Sequence, residues 1–246
     1  RDQKMKEWLK ILFAKESFDP SVLGLLINHF YIVRRGLLKG IKSLSKDLSG
    51  GRLLDVGCGS KPYRHFFNVD EYIGLDIEES GHDHKNEQID VFYNGKTIPF
   101  ENEYFDHVFS SEVFEHLFNI DTLLAEINRV TKKNGSLLIT LPFVWDEHEI
   151  PFDFARYTSF GIIHLLERHG FKIQSQVKST TYIETVFQML TAYISQVLLP
   201  KNSYMRIILG IIMVTPINIL GVVLGKVLPN NTHFYHNNIV LCRKLT

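Results

Sequence analysis

Apolar and polar residues are arranged along the chain in three different rhythms. From Lys4 to Leu48 the apolar positions come in groups: Trp8, Leu9, Ile11, Leu12 and Phe13 first, then Val22 to Val33 and Leu37 to Leu48. Basic residues separate the groups and Gly50-Gly51 closes the region, a pattern that predicts helices. From Arg52 onward, short apolar runs alternate with helical stretches. Arg52 to Val56, Tyr72 to Asp76, a segment around Ile89, Asp106 to Ser110, Ser136 to Leu141 and Lys172 to Val177 read as strands. Ser136 to Leu141 is nearly continuous in apolar residues, as a strand buried on both faces must be. Asp121 is placed to cap a helix reaching about Val130, with Lys132-Lys133-Asn134-Gly135 as its terminator; Thr158 or Ser159 caps another that ends at Gly170. This alternation predicts a parallel sheet with crossover helices on both faces.

The third rhythm begins near Thr181. Tyr182 to Leu199 reads as a helix whose polar residues Glu184, Gln188, Thr191 and Ser195 recur at helical spacing among mostly apolar neighbours. Ile207 to Gly225 carries no formal charge and approaches the ~20 apolar residues that cross a bilayer, although Thr215, Pro216 and Asn218 interrupt it. Asn238 to Arg243 then reads as a final strand that must return to the same sheet, which a single crossing would oppose. Three roles are open to residues 181–228: helices buried over a substrate cleft, a homodimer surface, or a helical pair at a membrane interface. The apolar face of Tyr182 to Leu199 favours the third. The organisation expected is therefore a helical cap at 1–49, a core at 50–180, a hydrophobic helical insertion at 181–231, and the last core strand at 232–246.

Composition narrows the partners. Lys plus Arg and Asp plus Glu both total 27, so no basic face is expected and no nucleic acid partner. Cys58 lies in a glycine-rich turn and Cys242 in the last predicted strand, which suits reduced thiols and a cytoplasmic setting. The charged opening segment shows no secretory signal. If the insertion meets a membrane, the expected place is its cytoplasmic face.

Candidate chemistry starts at Leu53-Leu54-Asp55-Val56-Gly57-Cys58-Gly59, a strand followed by a glycine loop and an expected helix. Glycine lets a ligand approach the backbone closely, and such loops lie where open α/β sheets bind ligands. A dinucleotide loop is the alternative, but it would want glycine where this chain has Pro62.

Four ordered segments carry a family resemblance. Asp55 to Tyr63, Tyr72-Ile73-Gly74-Leu75-Asp76, Ile98-Pro99-Phe100 with Tyr104-Phe105-Asp106, and Ser111-Glu112-Val113-Phe114-Glu115-His116-Leu117 resemble successive motifs of class I methyltransferases dependent on S-adenosylmethionine (SAM), in particular the methyltransferase type 11 group. The resemblance covers about Gly51 to Val177 plus the last strand. It implies a Rossmann-like, seven-stranded, mostly parallel sheet with the last strand antiparallel, and SAM as cofactor. It further implies that Asp55 orders the loop and the methionine amino group, and that Gly57, Cys58 and Gly59 pass beneath the cofactor. Asp76, with Ile77 beside it, would accept the ribose hydroxyls; Asp90 would meet the adenine amino group; Ser111 and Glu112 would face the cleft. Many members have a third glycine where this chain has Lys61, so the loop is expected to be reshaped there.

The stretch after the fifth strand, Leu141 to Tyr157, overhangs the transferred methyl in this fold family. Its Trp145, Arg156 and Tyr157 are candidate acceptor contacts. His148 is the candidate base, with Glu147 and Asp153 in reserve, because imidazole titrates near neutrality. His116 is as readily a packing or capping residue as a ligand contact. His82-Asp83-His84 and His233 with His236 fit no metal-site spacing, so no metal is expected. Pro151 to Thr158 resembles methyltransferases of cell-surface polysaccharide assembly, which makes O-methylation of a sugar or lipid-linked glycan the leading expectation. A quinone or other small lipophilic acceptor is the alternative, and a non-catalytic methyltransferase-like scaffold the rival from another class.

Overall fold

The computed structural model describes residues 11–78 and 88–245, and the chain divides into two compact units. The sheet unit comprises Gly40–Val177 and the chain from Asn237 onward; the helical unit comprises the chain up to Lys39 and Lys178–His236. Residues 1–10 and the His82-Asp83-His84 cluster lie outside the described residues.

Seven strands form one sheet: β1 (Arg52–Val56), β2 (Glu71–Ile77), β3 (Val91–Tyr93), β4 (Phe105–Ser111), β5 (Thr131–Pro142), β6 (Phe171–Lys178) and β7 (Asn237–Lys244). Their order is β3-β2-β1-β4-β5-β7-β6. β1 pairs in parallel with β2 and β4, β2 with β3, and β4 with β5, whereas β7 runs antiparallel to β5. This is the expected Rossmann-like architecture. Its core joins Leu54, Val56, Val108, Leu137 and Ile139 of the strands to Leu123, Leu124 and Ile127 of α2 (Ile120–Val130) and to Ile162 and Leu166 of α3 (Ser159–Arg168). Each such side chain, fully buried, contributes about 1.5–3 kcal/mol, which explains the unbroken apolar runs in β1 and β5.

Several local expectations are corrected. The third strand lies at Val91–Tyr93 and not around Ile89, because the Asp90 carboxylate takes the Gly74 N–H at 2.6 Å and regular pairing starts only after it. No α-helix follows the glycine loop; a single 3₁₀ turn, Arg64–Phe66, stands in its place. Lys61 has a left-handed φ of +52° and Pro62 follows it, which blocks a helical continuation. Asp121 is not the cap of α2, which begins at Ile120 without a side-chain cap; Asp121 instead pairs with Arg168 and lies 3.2 Å from His169 Nε2. Lys132–Gly135 belongs to the start of β5, where Asn134 takes a φ of +60° beside a register shift against β4. Thr158 does cap α3, its side chain accepting the Gly161 N–H at 3.0 Å, and the helix stops at Arg168 ahead of Gly170.

In the helical unit, residues 11–18 are helical and a one-turn helix at Gly24–Ile27 precedes α1 (Tyr31–Leu44). α4 (Tyr182–Tyr193), continued by a π-helical turn at Ile194–Leu198, packs on α5 (Ser203–Val227) as a hairpin. Thr181 and Glu184 form a capping box at the start of α4, and Asn202 caps α5. The Tyr182 N–H donates to Asn231 O at 2.8 Å, so both ends of the hairpin's base are joined.

The polarity of this hairpin is inverted along much of its length, apart from a small buried apolar cluster of Ile194, Leu199 and Val214. The stripe Thr185, Gln188, Thr191 and Ser195 is buried, while Val186, Leu190, Tyr193 and Val197 are exposed. On α5, Thr215 and Asn218 are buried whereas Ile208, Ile212, Leu220 and Val223 are exposed. Most of these buried polar groups find partners within the unit, Asn218 Oδ1 being an exception. Gln188 accepts from the Val33 N–H at 3.0 Å and donates to His29 O at 3.1 Å; Thr215 donates to Leu26 O at 2.9 Å and Asn218 to Asn28 O at 3.1 Å. Small residues permit the close packing: a Cβ on Gly210 would come within 2.4 Å of His29, and one on Gly221 within 2.7 Å of Phe187.

Candidate active site

The carboxyl ends of parallel strands are where open α/β sheets hold ligands. At the end of β1, the N–H groups of Gly57 and Cys58 both donate to Leu75 O, at 2.8 and 3.2 Å, fastening the loop to β2. Gly57 has a φ of +71°, and a Cβ there would lie 2.3 Å from Val113, so only glycine fits. At Gly59 a Cβ would meet nothing within 4 Å, which leaves room for a ligand against the backbone. Asp76, near the end of β2, accepts the Gly59 N–H at 3.0 Å on one oxygen and the Ile77 N–H at 2.8 Å on the other. A carboxylate offers about four lone-pair sites, so such an acid retains acceptor capacity for a vicinal diol.

Asp55 is buried and accepts the Tyr72 hydroxyl at 2.6 Å. Burial pushes its carboxyl up to about 7 against the opposing pull of Tyr72 and Lys61. An ammonium brought beside it would favour the ionised form. Burial also pushes the Cys58 thiol up, which keeps it neutral. Ser111 and Glu112 follow at the end of β4. Ser111 Oγ lies 2.8 Å from Thr140 Oγ1, which donates to Glu112 Oε1 at 2.8 Å, and Asn237 donates to Glu112 Oε2 at 2.7 Å. Asp55, Gly57, Cys58, Gly59, Asp76, Ile77, Ser111 and Glu112 thus gather along one edge of the central strands.

Asp90 precedes β3 and faces the loop from the other side: its Oδ2 is engaged by the Gly74 N–H and by Lys61 Nζ, which hold its carboxyl below the usual carboxylate range despite partial burial. The residue that the fold puts at the ligand end of β3 is Asn94, whose Oδ1 accepts the N–H groups of Lys96 and Thr97 at 2.9 and 3.0 Å. Placing the strand two residues later is the signal that would have found it. The missing helix after the loop also removes the N-terminal dipole on which a dinucleotide pyrophosphate rests.

The loops after β4 and β5 bring a second group together. His148 Nδ1 lies 3.2 Å from Asp153 Oδ2, and the His148 N–H donates to the same oxygen at 2.9 Å. Arg156 clamps Asp153 through both Nη atoms, at 2.5 and 2.6 Å, and donates to Asp146 O at 2.8 Å. Those Arg156 bonds hold the Asp153 carboxyl down to about 2, so Asp153 orients His148 and is a poor proton acceptor. Arg156 is committed to the same scaffold, and Tyr157 packs against the core. Glu147 is exposed, and Trp145 is half-buried on the same loop. His116, left open between packing and ligand contact by the sequence, stacks edge-to-face on His148 with ring centroids 4.8 Å apart. Between them lies Glu115, fully buried, its carboxyl pushed well up by burial and by Glu112. Glu115 has no role assigned from sequence; its acid between Phe114 and His116 was the available signal.

Residues 54–139 match the family profile described as a methyltransferase domain. Over those residues the chain carries a methyltransferase domain, and its fold is that of SAM-dependent methyltransferases. Among curated proteins, this methyltransferase chain is 27% identical to Methanocaldococcus jannaschii uncharacterized protein MJ1123, covering 60% of the chain and 75% of that protein. It is 27% identical to the ubiquinone biosynthesis O-methyltransferase of Pelagibacter ubique, covering 51% of the chain and 59% of that enzyme. Among solved structures, Haemonchus contortus phosphoethanolamine N-methyltransferase 2 in complex with SAM superposes with a TM-score of 0.52 at 17% identity, over 94% of this chain and 59% of that one, a likeness of fold. SAM is the domain's cofactor, and the open backbone at Gly59 beside the acceptor oxygens of Asp76 fits it.

Proposed function

We propose that this methyltransferase transfers the SAM methyl to a hydroxyl of a lipophilic acceptor, working at the cytoplasmic face of a membrane. The observation that carries the reading is the polarity of the α4–α5 hairpin, which buries the stripe Thr185, Gln188, Thr191, Ser195, Thr215 and Asn218 and exposes a larger apolar surface than its small inner cluster. Helices in lipid satisfy their polar groups internally and offer apolar surface outward. α5 has a mean hydropathy of 2.6 over its most apolar window, of which only 28% is buried, so it differs from a core helix of a water-soluble protein. A hairpin with both base ends joined dips into a membrane and returns, which lets β7 rejoin the sheet without crossing.

The sheet unit supports a lipophilic acceptor independently. Ile150, Phe152, Phe154 and Phe118 are exposed on the loops that carry His116 and His148, with Phe118 and Phe154 rings 5.7 Å apart. Aromatic rims suit a ring or isoprenoid-like acceptor better than a polyhydroxyl glycan. The name of the Pelagibacter relative points the same way. In this reading Asp55, Gly57, Cys58 and Gly59 hold the methionine end, Asp76 with Ile77 takes the ribose, Ser111 and Glu112 line the cleft, and the Glu115–His116–His148 group activates the acceptor oxygen.

Two measurements test it. Full-length protein should float with vesicles of phosphatidylethanolamine and phosphatidylglycerol, and the variant with Ile208, Ile212, Leu220 and Val223 all changed to serine should stay at the bottom. A short-chain quinol should yield S-adenosylhomocysteine from SAM where sugar nucleotides do not. Turnover on sugar nucleotides alone, with no flotation, overturns the proposal.

A further inference from the structure

We infer that Glu115, His116 and His148 form a binding site for one divalent transition-metal cation, open on one side to the acceptor. Their candidate ligand atoms all lie within 4.8 Å of one another. His116 Nε2 is 3.8 Å from Glu115 Oε1, and His148 Nε2 is 4.0 Å from the same oxygen. A cation between them would draw these atoms slightly inward to ligand distances of about 2.0–2.2 Å.

Two independent observations point to a ligand. First, Glu115 is 0% exposed, and among the described residues neither carboxylate oxygen has a hydrogen-bond partner. A buried acid without donors is costly, and a bound cation supplies what the protein does not. Second, both imidazoles are already oriented by their other nitrogen. His116 Nδ1 lies 2.7 Å from Phe152 O, and His148 Nδ1 lies 3.2 Å from the Asp153 carboxylate. His148 Nδ1 also lies 3.2 Å from Asp146 O. With a proton on each Nδ1 both Nε2 atoms would offer a lone pair, His116 Nε2 between Glu115 Oε1 at 3.8 Å and Glu149 Oε2 at 3.6 Å. Metal-binding histidines are held in this way by a carbonyl or a carboxylate.

Two imidazoles and one carboxylate select zinc, iron, manganese or cobalt over magnesium or calcium, which prefer all-oxygen sites. Three protein ligands leave a position open, as in catalytic sites. This role rests on the proposed methyl transfer to a hydroxyl. The acceptor oxygen binds the cation and releases its proton to water. Its electron pair then forms the new O–CH₃ bond as the S–CH₃ bond breaks, and sulfur keeps that pair in neutral S-adenosylhomocysteine. The expectation from sequence that no metal binds was drawn from other histidines, and is revised.

The test uses chelator-stripped full-length protein titrated with Co²⁺ and followed by visible absorption, with Zn²⁺ competition by calorimetry. One equivalent should bind and give ligand-field bands, and Zn²⁺ should displace it. Glu115→Gln and His148→Ala should abolish stoichiometric binding, and Asp153→Asn should weaken it about 10–100-fold. SAM affinity, measured in parallel, reports that each variant is folded. Absence of stoichiometric Co²⁺ in wild-type protein that still binds SAM overturns the site, as does unchanged binding in Glu115→Gln. Neither readout depends on turnover or on vesicles, so failure here and failure of the acceptor reading are separable.

Discussion

The sheet unit and the hairpin of the helical unit bury different mixtures of residue. In the first, Leu54, Val108 and Leu137 are inside, with buried polar groups such as Asp55, Ser110 and Thr140 among them. In the second, the hairpin turns Gln188, Thr191, Ser195 and Asn218 inward and leaves isoleucines, valines and tyrosines on its surface. Water rewards the first arrangement and lipid the second. Under the proposed membrane contact, one chain carries two folding solutions, one for water and one for lipid.

The largest expected effect that tests this contrast is in the sheet unit. Phe105→Ala, at a fully buried ring, should cost about 3–5 kcal/mol in urea unfolding; a loss below about 1 kcal/mol would show that the core is not organised by apolar burial. Next is Asp55. Its proton is held more tightly in the folded chain, at about 7 against an ordinary 3.8. Its contribution to stability is therefore complete below the unfolded value and is lost as pH rises through 7, a change on the order of a few kcal/mol. Asp55→Asn should flatten this slope in unfolding curves taken without SAM between pH 5 and 8; an unaltered slope would refute the assignment.

The helical unit should respond in the reverse sense. Gln188→Leu adds apolar volume at a buried site, yet it strands the Val33 N–H and should destabilise the protein by about 1–3 kcal/mol, read as a lower melting temperature in mild detergent. A neutral or stabilising result would place this unit with ordinary soluble helices. Smallest of all, Ile212→Ser with Leu220→Ser, both at exposed positions, should change that melting temperature by no more than about 0.5 kcal/mol allows, while reducing vesicle flotation several-fold. A large loss of folded stability would mean that these side chains are covered in solution.

Much of the sheet could be read from sequence because strands buried on both faces leave continuous apolar runs, as at Leu53–Val56 and Ser136–Leu141. The glycine loop was equally legible, since Gly57 and Gly59 answer to local backbone demands. β3 was misplaced because Val91-Phe92-Tyr93 is too short to assert a period, so Asp90 comes before the strand. Lys132–Gly135 has the composition of a helix terminator, but pairing in the sheet draws it into β5.

The sequence by itself determined the order of elements, the position of the glycine loop after β1, and the existence of a polar stripe along α4. It could not tell which side of that stripe faces inward, because a period specifies a face and not what covers it. Nor could it bring Glu115, His116 and His148 together, since they come from loops after different strands and share no spacing. Those two facts were decided by tertiary structure: the sheet sets β4 and β5 side by side, and the packing of α4 on α5 chooses the buried face. Contacts between distant segments follow from how strands pair and helices pack, and only the folded chain contains that information.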